Sequence, residues 1–366
     1  MKPKDLAKAG LRILTGSVPL LSIEITRECP LSCPGCYAYG DSHLGGGVTL
    51  SELKDYRGDE LVEGVIALVR KHRPLHVSLV GGEPLVRHRE LSRILPALSA
   101  MGVWTMVVTS AVIPIPLEWK SIPQVVVTIS VDGLPHHHDV RRKPATYQKI
   151  LENIAGRRVN VHLTITQPML ESEGYLAEYL AFWSRQPEVN RIWLSTYTPQ
   201  RGERAAEMLT ESGRARLVRE LPELRHRFPK LLAHADTGEA LLRPPAKPEE
   251  CTFARMSVNY SADLATRVEP CIFGGDPDCS QCGCAISTGL HAIQPMRMVG
   301  PVRLRHLVRA SAFVGRFVNR LRGIAIPRWE KRVPPKPAPV LYMPEPPTKQ
   351  KAAASGQSAS RQSSLQ

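Results

Sequence analysis

The first chemical signal in this sequence is its cysteines. Eight of them fall in two groups with a long cysteine-free middle, Cys29, Cys33 and Cys36, then Cys251, Cys271, Cys279, Cys282 and Cys284. The first three are spaced CxxxCxxC in LSIEITRECPLSCPGCYAYG. A short loop of that spacing can bring three thiolates to three corners of one iron–sulfur cube and leave the fourth iron open to substrate or cofactor. A zinc site borrowing a fourth ligand from elsewhere fits the same spacing. The second group holds five thiols in 34 residues with turn residues between them. These could enclose a second [4Fe-4S] cluster with one thiol to spare, or a zinc knuckle, and spacing alone does not say which four would bind. Eight cysteines are too few for a disulfide framework in a chain this long, so the clustering points to metal ligation in a reducing compartment.

Smaller signals sit at the ends of apolar runs. VSLVGGEPL places Gly81, Gly82, Glu83 and Pro84 after one of them. Two glycines let backbone approach a ligand closely, and a carboxylate beside them can accept hydrogen bonds from an ammonium group. VVTS brings Thr109 and Ser110, and ISVDGLPHHHDVRR brings Ser130, Asp132, Asp139 and Arg142. The run His136, His137 and His138 has the composition of a metal tract, but consecutive residues point in different directions, so a solvated loop is expected there.

The elements that must position these residues follow from periodicity. Strand-length apolar runs recur at Leu21 to Thr26, Leu75 to Val80, Trp104 to Thr109, Val125 to Val131, Val159 to Thr166 and Ile192 to Thr196. Helical patterns lie between them, at Leu53 to Val69, Leu91 to Leu98 and Tyr147 to Ile154. Alternating strands and helices require right-handed crossovers and a parallel sheet, either doubly wound or a barrel. In both, ligands gather at the carboxyl ends of the strands, where the motifs above fall.

Together, CxxxCxxC after the first strand and GGEP after the second resemble the radical S-adenosylmethionine superfamily, over about residues 19–200. The resemblance implies an α/β fold, a partial (βα)6 TIM-type barrel with a small C-terminal cysteine-rich iron–sulfur extension. It implies that Cys29, Cys33 and Cys36 hold a [4Fe-4S] cluster whose fourth iron is chelated by S-adenosyl-L-methionine. Gly81, Gly82 and Glu83, followed by Pro84, would receive the cofactor's amino group. Thr109, Ser110, Ser130 and Asp132 would meet its carboxylate and ribose, with Arg142 and Asp139 nearby, since ISVDGLPHHHDVRR is similar to a segment of the peptide-modifying branch. Family members usually carry an aromatic just before the third cysteine; here that residue is Gly35, and Tyr37 is the substitute. The second cysteine group resembles the auxiliary-cluster extensions called SPASM or twitch, although Leu264 stands where a glycine is usual and a full SPASM domain has more cysteines. One auxiliary cluster held by four of Cys251, Cys271, Cys279, Cys282 and Cys284 is therefore expected. The implied activity is reductive cleavage of S-adenosylmethionine to a 5′-deoxyadenosyl radical that abstracts hydrogen from a substrate. No side chain is assigned a catalytic role.

The division read from these patterns is a basic helix over 1–18, the barrel over 19–200, a helical linker over 201–245, with Arg201 to Phe228 helical, the auxiliary-cluster unit over 246–290, a basic helix over 291–332 and a disordered Pro-, Ser- and Gln-rich tail over 333–366. Hydrophobic residues at 43% and charged ones at 22% give enough apolar material for a core, which excludes a fibrous or wholly disordered chain. With 48 basic against 34 acidic residues the formal charge is +14, which suggests an anionic partner, substrate or surface. No run approaches the roughly 20 apolar residues that span a bilayer, so the expected address is cytoplasmic. The substrate is expected to be a peptide, with a small molecule or isoprenoid lipid as the alternative. An electron donor such as flavodoxin or ferredoxin is implied, nucleic acid is set aside, and the basic C-terminal helix leaves a membrane surface open as a partner. The competing class is a non-catalytic zinc or iron–sulfur binding protein.

Overall fold

The computed structural model describes residues 18–144, 146–299 and 301–323. The six apolar runs all become strands. In chain order the elements are β1 (Leu20–Glu24), α1 (Gly58–His72), β2 (His76–Val80), α2 (His88–Ala100), β3 (Trp104–Thr109), β4 (Val125–Ser130), α3 (Pro135–Arg141), α4 (Tyr147–Ile154), β5 (Val159–Ile165), α5 (Gln167–Glu171), α6 (Tyr175–Arg185) and β6 (Val189–Thr196). There follow α7 (Glu211–Arg227), α8 (Thr237–Leu242), α9 (Thr252–Met256), β7 (Ser257–Tyr260), α10 (Ala285–Ile293), the short pair β8 (Arg297–Val299) and β9 (Val302–Arg303), and α11 (Leu304–Leu321).

The sheet has seven strands in the order β6-β5-β4-β3-β2-β1-β7, and every pairing in it is parallel. The first six follow sequence order without a reversal. Right-handed crossovers that always step the same way keep the helices on one face, whereas a doubly wound sheet reverses and covers both. The partial barrel is thus the architecture. β7 is a seventh strand that periodicity did not reveal: SVNY has only four residues and lies inside the cysteine-rich segment, and it becomes a strand by pairing with the free edge of β1.

Register and alternation show what the two faces do. Leu21, Ile23, Val77, Leu79, Val107, Val127, Ile129, Val159, Val161, Leu163 and Ile192 pack with helix residues such as Leu61, Val65, Leu91, Ile94, Ile150 and Leu176 in one core. The alternate positions carry Ser22, Glu24, Ser78, Thr128, Ser130, Asn160, His162, Ser195 and Asn259. A parallel sheet buried on both faces would be apolar at every position. This one presents a concave face that is polar at most positions, with Met106 and Val108 as apolar exceptions, and Ser195 on it accepts from Ala285 N–H at the start of α10 at 2.9 Å.

The segment after β6 crosses the open side of the barrel. Thr196 N–H donates to Gly283 O at 3.1 Å and Asp278 N–H to Pro199 O at 2.8 Å, fastening it to the end of β6. Gly275 N–H donates to His43 O at 3.2 Å, and β7 pairs with β1, fastening it to the other edge.

Three sequence expectations change. Helix α7 begins at Glu211, not Arg201, because Thr210 Oγ1 caps it by accepting from Gly213 N–H. His136 to His138 lie in helix α3 instead of a solvated loop. His138 is fully buried: its Nδ1 accepts from Asp132 N–H at 3.1 Å, and Nε2 lies 2.9 Å from Thr146 Oγ1. The basic helix expected over 291–332 begins only at Leu304, as α11, because the end of α10 and the β8–β9 pair occupy the start of that range; its reading over 324–332 lies outside the described residues, as do the helix expected over 1–17 and the tail over 333–366. Among the described residues no helix is long and apolar enough to cross a membrane.

Candidate cofactor site

The CxxxCxxC loop leaves the sheet at the end of β1 and is tied at three points to motifs far away in sequence. Gly82 N–H donates to Thr26 O at 2.8 Å and Glu83 N–H to Glu28 O at 2.7 Å, so the diglycine bend after β2 and the base of the cysteine loop form one backbone unit. The closeness explains the glycines. A Cβ on Gly82 would stand 2.2 Å from Glu28 O, and one on Gly81, whose φ is +131°, would stand 2.6 Å from Thr26 O. On the far side, Ser32 N–H donates to Lys143 O at 2.8 Å, joining the loop to the segment after ISVDG. Below it, the buried Arg87 guanidinium donates to Glu28 Oε2 at 3.0 Å and to Asp55 Oδ2 at 2.6 Å. The sequence reading missed Arg87 and Asp55, which carry no motif.

Cys29, Cys33 and Cys36 are free, half-buried thiols on this loop. A turn closes between the last two, with Cys36 N–H donating to Cys33 O at 3.3 Å, and Gly35 sits within it at φ +65°. That left-handed backbone is why a glycine replaces the usual aromatic: a side chain would find space but a strained φ. Burial pushes the Cys29 thiol up to about 11, and the neighbouring charges of Glu83, Cys33 and Cys36 push the same way. Tyr37 is 43% exposed and leans on Phe273, its ring edge-on at 5.5 Å, so it joins the cysteine loop to the second cysteine group.

Glu83 departs from its expected role. Its carboxylate is buried and accepts four hydrogen bonds: Oε1 from Leu85 N–H at 2.9 Å and from Thr109 Oγ1, Oε2 from Ser110 N–H at 2.8 Å and from Ser110 Oγ. A carboxylate has about four acceptor positions, and here the protein fills them. Glu83, Thr109 and Ser110 are brought together as expected, but their side chains bond each other, locking the end of β2 to the end of β3. Pro84 opens the short 3-10 turn that Glu83 caps.

Asp132 is different. Arg142 Nε donates to its Oδ2 at 3.1 Å, and Arg141 Nε lies 3.7 Å away. Its other oxygen, Oδ1, is buried without a donor. Burial works to raise this carboxyl, but the two arginines outweigh it and hold it well below the usual carboxylate range. An ionised, half-satisfied carboxylate is costly unless a donor arrives. Ser130 precedes it on the concave face, and Asp139 turns away to accept from Thr146 and Tyr147 N–H at the start of α4. The charge of Arg142 is felt at Cys33 and Cys36, so Asp132, Arg142 and the thiols share one rim.

The five remaining cysteines converge. Cys251, Cys271, Cys279, Cys282 and Cys284 line one cavity whose other walls are Pro245, Pro248, Pro270, Pro277, Phe253 and Phe273, with Thr198 and Ser287. All five are free. Burial pushes Cys279 and Cys284 up to about 12. Leu264, in the turn where a glycine was anticipated, takes φ +57° and packs against Gly64 of α1. Between the two cysteine groups lies a buried polar chain the sequence did not announce: His43 Nε2 is 2.7 Å from Glu24 Oε1, Ser261 Oγ donates to Glu24 Oε2, and His43 Nδ1 is 3.0 Å from Phe273 O. Its only sequence trace was an acid in an apolar strand. Among the described residues no three His, Cys, Asp or Glu side chains stand close enough to clasp a single metal ion, so the thiols are grouped without being drawn onto one point.

Residues 23–173 match the family model described as the radical SAM superfamily. That segment of the chain is a radical SAM domain. No curated relative matches the chain. Among solved structures, Streptococcus suis SuiB bound to S-adenosylmethionine is similar with a TM-score of 0.47 and 14% identity, over 70% of this chain and 60% of that one. A native anSMEcpe structure with bound AdoMet gives 0.44 and 16%, over 57% and 61%, and archaeal TYW1 gives 0.28 and 20%, over 45% and 58%. The chain thus spans about 60% of the length of the first two. Within the radical SAM domain, the donor set fits a cluster and its ligand: three free thiols, a diglycine bend packed against their loop, and an unsatisfied buried carboxylate oxygen at Asp132.

Proposed function

We propose that this chain is a radical S-adenosylmethionine enzyme in which Cys29, Cys33 and Cys36 hold a [4Fe-4S] cluster and the adjoining rim holds the cofactor. The observation that carries the reading is the joining of three separate motifs by backbone hydrogen bonds, Gly82 to Thr26, Glu83 to Glu28 and Ser32 to Lys143. When bound, the cluster and S-adenosylmethionine supply the electron transfer and the 5′-deoxyadenosyl radical that removes a substrate hydrogen. The protein's part is to bind, orient and exclude water. In this reading Asp132 Oδ1 accepts from a cofactor hydroxyl or ammonium, Arg142 faces its carboxylate, and Tyr37 stands by the loop without covering it. The carbonyls of Gly81 and Gly82 take over the amino-receiving role, because the Glu83 carboxylate has no free acceptor.

The five C-terminal thiols are proposed to hold one auxiliary cluster of the SPASM or twitch kind. Five thiols around one cavity walled by proline and phenylalanine support it. The substrate is proposed to be a peptide, supported by the similarity of ISVDGLPHHHDVRR to the peptide-modifying branch and by a polar concave face able to bond backbone groups. Helix α11 leaves Phe313, Phe317 and Leu321, four residues apart, at 70%, 61% and 74% exposure. With Arg320 and Arg322 exposed beside that stripe, the proposed partner of this face is an anionic lipid surface. The test of the enzyme reading is anaerobic: the reconstituted, dithionite-reduced chain should release 5′-deoxyadenosine from S-adenosylmethionine, detected by mass spectrometry. Cys33→Ala should abolish it; continued release would remove the cluster assignment.

A further inference from the structure

Arg141, the last residue of α3, stands between two acids. Its Nη1 donates to Glu207 Oε1 at 3.1 Å, while its Nε stops 3.7 Å from Asp132 Oδ2. That gap leaves two complementary groups unused. Among the described residues Arg141 Nε has no hydrogen-bond partner and Asp132 Oδ1 has none either, although both atoms are buried. Each carries a desolvation cost that pairing the two side chains would reduce, so something must hold the guanidinium back.

Glu207 is that restraint. It lies on the strap between β6 and α7, where among residues 201–209 only Leu209 is buried. The backbone fixes the strap at this point, Gln167 N–H donating to Glu207 O at 3.1 Å, so the Glu207 carboxylate has a set position. The Arg141 guanidinium also stands 5.9 Å from the centre of the Tyr197 ring, and the Tyr197 hydroxyl donates to Glu203 of the same strap. The strap thus draws Arg141 away from Asp132. Released, Arg141 has only to close from 3.7 Å to about 2.9 Å to bond Asp132. A guanidinium fork that takes one carboxylate oxygen frequently takes both, which would fill Oδ1.

We propose that Glu207 is a positioning residue for the cofactor site: by holding Arg141 off Asp132 it keeps Oδ1 open for S-adenosylmethionine. This rests on the reading of Asp132 as a cofactor contact. The experiment is equilibrium dialysis of S-adenosylmethionine against the full reconstituted chain, left unreduced so that the cofactor binds without being cleaved. Glu207→Gln keeps the shape but loses the charge that holds the guanidinium, and weakens binding about tenfold. Glu207→Asp, one methylene shorter, is the second variant should the first not fold, with the same loss expected. Arg141→Met removes the competitor, so the double variant Glu207→Gln with Arg141→Met returns to within about threefold of wild type, whereas a role in folding alone would make the second loss add to the first. A second readout needs neither cluster nor cofactor. Trypsin cleavage after Arg204, exposed on the strap, is faster in each single variant and no faster again in the double, because both substitutions break one pair. Unchanged binding in Glu207→Gln, a double variant that binds no tighter than Glu207→Gln, or additive acceleration of cleavage overturns the proposal alone. Absence of binding by the wild type removes the cofactor reading and the proposal with it.

Discussion

Replacing Glu83 by glutamine tests whether this residue is a cofactor ligand or a bracket between strands. The change keeps shape and volume but turns one acceptor oxygen into a donor nitrogen. With the amide nitrogen at the Oε2 position it faces Ser110 N–H; flipped, it faces Leu85 N–H. Either way one buried backbone N–H loses its acceptor. A buried orphan donor costs about 1–3 kcal/mol, and the hydrogen bonds that remain lose the strength a charged acceptor gave them. We expect a total near 3 kcal/mol. Unfolding entropy of about 2 cal/mol/K per residue makes that a fall of roughly 5 °C in Tm for a domain of this size. The assay is thermal unfolding of the cluster-free chain by circular dichroism, with no S-adenosylmethionine present. A pure cofactor ligand would leave that midpoint unchanged and weaken only cofactor binding. A midpoint within 1 °C of wild type would therefore refute the bracket assignment.

Other outcomes follow from the same geometry. Arg87→Met strands Asp55 and the base of the cysteine loop without their buried cation, and should cost about 3 kcal/mol in urea unfolding; a loss under 1 kcal/mol would count against the clamp. Replacing Cys279, Cys282 and Cys284 together by alanine leaves two thiols in the second group and should lower the iron content of the reconstituted protein by about four per chain while Cys29, Cys33 and Cys36 keep theirs, and equal iron in both proteins would argue against a second cluster. Burial pushes His72 and His138 down to about 4, while both protonate near 6.5 when unfolded. Stability is then full above about pH 6.5 and falls as pH drops towards 4, by about 2 kcal/mol for each histidine at pH 5. His72→Gln should flatten that slope in urea melts at pH 7 and pH 5, and an unaltered slope would sink the assignment. Phe313→Asp with Phe317→Asp should abolish sedimentation with vesicles rich in phosphatidylglycerol; equal sedimentation of the variant would dismiss α11 as the lipid-facing helix.

Local chemistry alone decided a large part of this protein. Short apolar runs between helical patterns mark the strands of a parallel sheet, and β3 from Trp104 to Thr109 and α4 from Tyr147 to Ile154 match their expected bounds. The spacing of Cys29, Cys33 and Cys36 and the Gly81–Gly82 pair are likewise local, since a loop or a turn is specified by neighbouring residues. What pattern could not supply was whatever depends on partners distant along the chain. β7 is a strand because the edge of β1 offers it hydrogen bonds. His138 is buried because α3 folds it beneath Asp132, although its neighbours in sequence are polar. Glu83 read as a ligand because an acid beside two glycines looks free; only the arrival of Thr109 and Ser110 from the next strand fills its acceptors. The contact between the two cysteine groups through Glu24, His43, Ser261 and Phe273 joins residues up to 237 positions apart, and no periodicity encodes a distance of that kind.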